Sequence, residues 1–163
     1  MMGSACWHVA ALVSVLYGLD PSAVANTASE FRARIAECES APDARVTISM
    51  VSVHKTFRTR MTQERLEEYL VSPGADYVIT VKSPERAKLV AAALSSGKTT
   101  AEAITPPLDL RAKLEFVSGG KTILLAYADA TGHILYRGSV MSTGTNWIEK
   151  IWQLIRDDST HAM

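Results

Sequence analysis

The sequence predicts an α+β fold, with a single mixed sheet of about five strands that ends in a three-stranded antiparallel meander and has helices packed on one face. The meander is predicted by strict alternation of apolar and polar residues from Leu110 to Phe116, followed by two glycine-containing turns. Helices are predicted by apolar residues at intervals of three and four, as in residues 87–94. The length of 163 residues and the 47% hydrophobic content suit one domain with a packed core.

The first 25 residues allow two interpretations. The apolar stretch from Ala5 to Tyr17 is shorter than the roughly 20 residues that span a bilayer, and its length suits the hydrophobic region of a secretory signal. Ala23-Val24-Ala25 would supply the small residues of a cleavage site, although no basic residue precedes the stretch. In the alternative, the stretch is a first core helix and Asp20 caps a second helix. We therefore expect either a signal peptide or a first helix over 1–25 and a single α+β domain over 26–163, with a secreted or periplasmic location as open as a cytoplasmic one.

Helices and strands alternate through the middle of the chain. The capping box Thr27-Ala28-Ser29-Glu30 precedes apolar residues at helical spacing, and β-branched runs that follow read as strands. The two early strands are separated by a helix and could pair in parallel. The predicted elements are, in order, a helix over 27–38, a strand over 45–53, a short helix capped by Thr62 and stopped at 72–74, a strand over 76–82, a helix from Ser83-Pro84 to Gly97, and one helical turn at 99–102.

The last third of the chain carries the meander and a final helix. Its strands are predicted over 110–116, 122–128 and 133–140, joined by the turns Ser118-Gly119-Gly120 and Asp129–Gly132. A helix over 146–156 presents an apolar face. Trp147 lies at the border of that face, so it is either an exposed interface anchor or, as the pattern favours, part of a broad core-facing stripe.

Composition and motifs argue against several more specific functions. Equal numbers of basic and acidic residues, 17 each, argue against a nucleic-acid-binding protein. The segment 92–99 resembles a phosphate loop only loosely, because a predicted helix rather than a strand precedes its glycine. The four histidines are scattered without ligand spacing, and Cys38 falls on an apolar helical stripe where a buried thiol is expected. We therefore predict no cofactor, no metal site and no catalytic residue.

The best candidate site is a basic segment in the middle of the chain. No Asp or Glu occurs between Ala44 and Gln63, whereas Lys55, Phe57, Arg58 and Arg60 lie within a few positions of one another. These four residues could bind an acidic partner. In the alternative they form a solvated strand or loop whose charge is compensated by the acidic residues of the following helix, Glu64, Glu67 and Glu68.

Two acid–base pairs have simpler structural explanations. Asp129 and His133 stand four apart across a turn, where an Asp carboxylate typically accepts backbone N–H groups. Asp109 and Arg111 are two apart at the start of a strand, so both point to one face and could form an ion pair. Both pairs are therefore assigned to structure before function.

These observations favour a non-enzymatic binding protein of the inhibitor, neutralising or accessory type, acting through protein–protein contacts. Two alternatives stay open. One is a small hydrolase or transferase that uses carboxylates such as Asp76, Asp109 or Asp129, which a single sequence cannot bring together. The other is a homo-oligomeric structural protein that closes exposed sheet edges against copies of itself.

Overall fold

The structure, a computed structural model, describes residues 21–52, 54–95, 100–101 and 108–142, together with residues 147, 149, 151 and 153, which are helical. The helices are α1 (Pro21–Ser40), α2 (Gln63–Tyr69) and α3 (Pro84–Ser95), and a π-helical turn (Leu70–Gly74) follows α2. The strands are β1 (Arg45–Met50), β2 (Tyr77–Val81), β3 (Thr100–Ala101), β4 (Leu110–Ser118), β5 (Lys121–Asp129), β6 (His133–Tyr136) and β7 (Ser139–Ser142).

The strands form one sheet in the order β2-β1-β4-β5-β6-β7-β3, which confirms the α+β fold with a single sheet. Each pairing among these strands is antiparallel, so the sheet is not mixed as predicted. The connection between β1 and β2 explains the difference. The backbone N–H of Asp76 donates to the carbonyl of Met50 at 3.0 Å, so the chain returns to the end of the sheet where β1 finishes. From that point β2 can only run antiparallel to β1.

Two local differences raise the strand count above the prediction. The segment predicted as one strand over 133–140 is a hairpin of β6 and β7, turned by Arg137 and Gly138 with φ of 47° and 77°. Arg137 is an unusual residue for such a turn, and it is held by an ion pair to Glu30 at 2.6 Å. The helical turn predicted at 99–102 is wrong at Thr100 and Ala101, which instead pair with β7 as β3.

One face of the sheet, here called the inner face, packs against α1 and α3. Phe31, Ile35 and Cys38 of α1 are buried there, as their helical spacing predicts, and the Phe31 ring lies 5.3 Å from that of Tyr136. α1 begins at Pro21 and continues through Thr27–Glu30, the capping box that was predicted to precede the helix. Trp147 is fully buried in the same core, which excludes the exposed-anchor alternative, and its indole N–H donates to the Asp129 carbonyl at 3.1 Å.

The opposite, outer face is partly covered by α2. Leu66 of α2 is buried in a second apolar cluster with Met61, Leu110 and Tyr127. Thr62 caps the helix as predicted, since its hydroxyl accepts from the backbone N–H of Arg65 at 3.4 Å. Helices therefore lie on both faces, in contrast to the single covered face predicted.

A β-bulge at the start of β4 places the outer-face cluster. Leu110 lies opposite Asp129 and Ala112 lies opposite Ala128, so β4 contains one residue more than β5 at this point. Leu110 and Ala112 would share a face in a regular strand, yet Leu110 packs in the outer cluster and Ala112 in the inner core. The bulge thus turns Leu110 and Arg111 toward the segment between β1 and α2.

Candidate functional site

The basic segment, residues 54–60, joins the end of β1 to α2 beside the outer face. Its far end is tied to the sheet by Met61, whose carbonyl accepts from Leu110 N and whose N–H donates to Asp109 Oδ1, both at 2.9 Å. Its near end follows Val51, whose N–H donates to the Arg111 carbonyl at 2.8 Å. Both ends of the segment are therefore fixed to the first residues of β4.

Arg111 holds the middle of this connection. Its side chain is 9% exposed, and its Nη1 donates to the carbonyl of Lys55 at 2.9 Å and to that of Ser52 at 3.4 Å. Its Nε donates to Asp109 Oδ2 at 3.0 Å, and Nη2 donates to the same oxygen. The predicted Asp109–Arg111 ion pair is thus present, and the guanidinium uses its remaining donors to hold the loop.

Phe57 is the aromatic anchor of the basic segment. The Arg111 Cζ lies 5.0 Å from the centroid of the Phe57 ring, and the ring also packs edge-on against Tyr69 at 5.6 Å with an interplanar angle of 86°. It is half-buried against the outer-face cluster. Such a ring fixes the path of the backbone and leaves neighbouring side chains outside.

Lys55 is exposed, and its side chain is engaged by Tyr69 at the end of α2 and by Asp76 just before β2. Its Nζ forms an ion pair with Asp76 Oδ1, donates to the Tyr69 hydroxyl at 2.7 Å and lies 5.4 Å from the centre of that ring. The other carboxylate oxygen of Asp76 accepts from the N–H of Ser52 at 2.8 Å. The hydrogen bond from Lys55 lowers the pKa of Asp76, and the bond to Asp76 raises the pKa of Lys55.

Arg58 and Arg60 are both exposed. The Arg60 carbonyl accepts from Arg65 Nη1 at 3.1 Å, which adds a contact between the segment and α2. The structure therefore divides the four predicted residues into two groups. The side chains of Lys55 and Phe57 fix the segment, and Arg58 and Arg60 are exposed residues of it.

Glu67, one of the acidic residues expected to compensate the segment, is used elsewhere. Its carboxylate accepts hydrogen bonds from Lys113 Nζ at 2.9 Å and from the Tyr127 hydroxyl. Lys113 and Tyr127 lie opposite each other on β4 and β5, on the outer face. Burial tends to raise the pKa of Glu67, but these two hydrogen bonds outweigh it and lower the pKa. Burial and the bond to Glu67 together raise the pKa of Tyr127.

A second polar cluster lies at the turn between β5 and β6. Asp129 Oδ1 accepts from the N–H groups of Thr131 and His133 at 2.8 and 2.9 Å, which confirms the turn role predicted for it. Its Oδ2 accepts from the Thr131 hydroxyl at 2.8 Å and lies 3.0 Å from His133 Nδ1. The Thr131 hydroxyl lies 2.8 Å from the same Nδ1, so the carboxylate and the hydroxyl together fix the orientation of the His133 ring.

No family model, curated protein or solved structure matches this chain. Its function must therefore be argued from these contacts alone.

Cys38 is the one cysteine in the described part of the chain. The Cys38 thiol is buried and free, and burial raises its pKa to about 12, so it is a poor nucleophile at neutral pH. No three His, Cys, Asp or Glu side chains converge as metal ligands among the described residues. The same residues include no helix with the length and apolar character needed to cross a bilayer.

Sequence reasoning found the basic segment but missed the residues that hold it. Asp76, Tyr69 and Arg111 lie 14 to 56 positions from Lys55 along the chain, so no local pattern connects them to it. The one available signal was the Asp109-x-Arg111 spacing, which identified the ion pair. The carbonyl groups that Arg111 holds carry no sequence signature, because every residue has one.

Proposed function

We propose that the protein is a non-enzymatic binding protein that engages an acidic surface of another protein through the basic segment. The observation that carries this proposal is the contrast within the segment. Arg58 and Arg60 are exposed, while the backbone that presents them is held by the buried guanidinium of Arg111. A surface fixed before binding loses less conformational entropy when a partner docks.

The charges of the segment favour a partner with carboxylates. Lys55 is paired with Asp76, and the other two basic residues predicted for this surface, Arg58 and Arg60, are both exposed. Arginine forms paired hydrogen bonds with carboxylates and is enriched in the energetically important part of interfaces. The chain as a whole has a formal net charge of zero, so attraction to an acidic partner is local to this surface.

The test is affinity capture from the native source with a matched pair of double variants. R58A/R60A removes both exposed arginines, whereas R45A/K121A removes two exposed basic residues from the opposite end of the sheet. We expect one partner to be retained by the wild type and the control and lost by R58A/R60A, with binding that weakens as salt rises. Retention by R58A/R60A, or equal loss from both variants, would overturn the proposal.

The Asp129 cluster favours a second candidate function, a small hydrolase. Asp129 holds Nδ1 of His133, and His133 lies directly opposite Ser142 in the β6–β7 pairing. A carboxylate that orients a histidine beside a hydroxyl is the arrangement used to activate a nucleophile. Asp76 and Asp109, the other carboxylates considered for this chemistry, are each engaged by a basic side chain.

This second candidate is tested with p-nitrophenyl acetate as the probe. Hydrolysis faster than that of the unfolded chain, and reduced at least tenfold in both H133Q and S142A, would support it. Equal rates for the wild type and both variants would exclude it.

A further inference from the structure

The two edges of the sheet differ in length. At one edge β3 contributes two residues, Thr100 and Ala101, and offers little backbone for further pairing. At the other edge β2 contributes five residues, pairs with β1 on one side and has no described strand on its other side. A strand at an edge presents a row of backbone N–H and C=O groups that can pair with another chain.

β2 also lacks the features that normally prevent such pairing. The strand reads Tyr-Val-Ile-Thr-Val, with no charged residue, proline or glycine between Tyr77 and Val81. Val78 is 62% exposed, and Thr80 is exposed beside it on the outer face. Ile79 and Val81 alternate toward the inner core, where they are partly buried. The edge is therefore apolar, regular and accessible.

We infer that β2 pairs antiparallel with β2 of a second copy of this chain, around a two-fold axis that passes beside Ile79. In this register Ile79 lies opposite itself, Tyr77 opposite Val81, and Val78 opposite Thr80. All five strand residues then have a partner. The Tyr77–Val81 pair joins an aromatic to a β-branched residue, and the other pairs join two β-branched residues; both kinds are favourable across strands. The inner faces of the two sheets continue into each other.

Charge complementarity selects a second copy as the occupant. The same register places Asp76 of one chain opposite Lys82 of the other, twice by symmetry. Asp76 already binds Lys55, so each new pair adds a modest attraction to the backbone pairing. The zero net charge of the chain also removes long-range repulsion between copies.

The register can be tested by disulfide trapping in a C6S/C38A background, which removes both cysteines of the sequence, Cys6 and Cys38. In I79C the two new cysteines face each other with Cα atoms about 4.5–5.5 Å apart, within the range of a disulfide. In the control V81C they are offset by four residues along the strand, roughly 13 Å, which is beyond that range. We expect mild oxidation to convert I79C to a covalent dimer and to leave V81C monomeric. Equal trapping of both variants, or of neither, would overturn the inference.

Sedimentation equilibrium provides a second test that leaves the inner core intact. The wild type should show a concentration-dependent dimer, and V78K should be monomeric at the same concentrations. L89K, which changes the 52% exposed Leu89 on α3, is the matched control and should dimerise as the wild type does. K82E should weaken the dimer by roughly threefold to tenfold, because it places two acids opposite each other. A wild type that stays monomeric, or a dimer that V78K leaves unchanged, would overturn the inference.

Discussion

The Arg111 guanidinium lies over the face of Phe57, 5.0 Å from the ring centroid, while it donates to the carbonyl of Lys55 two residues earlier. One side chain from β4 thus holds both the backbone and the aromatic ring of the basic segment. Because Arg111 is buried, this part of the segment is fixed directly to the folded core. Changes to Arg111 should therefore act on both stability and binding.

Replacing Arg111 by alanine should lower the free energy of unfolding by about 2–3 kcal/mol, because the Asp109 carboxylate and two carbonyls lose a charged donor. R111K keeps the charge but lacks the forked geometry, so it should recover only part of the loss. Urea denaturation measures both, and hydrogen exchange should show faster exchange in residues 54–60. An R111A protein with wild-type stability and exchange would contradict this role.

Replacing Phe57 by alanine should cost about 1–2 kcal/mol, through loss of its contacts with Tyr69 and Arg111. The variant leaves every charge in place. If the segment binds its partner as a fixed surface, F57A should also weaken capture although no basic residue is removed. Capture by F57A as strong as that by the wild type would show that the ring has no part in presenting the segment.

Glu67 should make stability depend on pH in the acid range. Its pKa is lowered in the folded state, so its stabilising contribution is present above the unfolded pKa of about 4.3 and is lost as the pH falls through the lower folded value. E67Q should therefore be less stable than the wild type at about pH 7, and the difference should narrow toward about pH 3. Urea titrations at a series of pH values measure this. A difference that stays constant over the range would contradict the ionic role of Glu67.

The Cys38 thiol should resist modification in the folded protein. Burial raises its pKa to about 12, so little thiolate forms near pH 8 and the reagent has no access. In a C6S variant, a thiol-reactive disulfide reagent should label Cys38 slowly in buffer and rapidly in urea. Rapid labelling without denaturant would place Cys38 on an accessible surface.

The carboxylates of Asp129 and Asp43 accept the same kinds of hydrogen bond, but the two residues differ in burial. Each carboxylate accepts a backbone N–H and a hydroxyl at a strand turn, Asp129 from Thr131 and Asp43 from Gly119 and Ser118. Asp129 is buried and Asp43 is exposed. We expect D129A to destabilise by about 2–3 kcal/mol and D43A to have a clearly smaller effect in thermal or urea unfolding. Equal losses would mean that depth does not govern the effect.

The sequence predicted elements whose information is local. The Thr62 cap and the Asp129 turn are each specified by residues within a few positions, and both are present. The predicted alternation of β4 is present from Ala112 to Phe116, but it is wrong for Leu110, which the bulge turns to the outer face. The hairpin at Arg137 was missed because its first turn residue is not one of the types that favour positive φ. Its conformation is stabilised instead by Glu30, which is more than a hundred residues away.

In the candidate site, too, the sequence predicted what depends on neighbouring residues and missed what depends on distant ones. Charge counting located the basic segment, because the absence of acidic residues is visible along the chain. It could not show that the side chains of Lys55 and Phe57 contact the rest of the protein, nor that Arg58 and Arg60 are exposed. That distinction depends on Tyr69, Asp76 and Arg111, which only the folded chain brings to the segment.

The bulge at the start of β4 makes the site depend on the number of residues in this part of the strand as well as on their types. Leu110 and Ala112 reach opposite faces because one extra residue stands between the matched positions of β4 and β5. Deleting the extra residue would join Leu110 directly to Ala112 in a regular strand, so Leu110 would stay on the outer face but the bulged position that directs Arg111 to the basic segment would be lost. Related chains should therefore accept neither insertion nor deletion between Asp109 and Ala112.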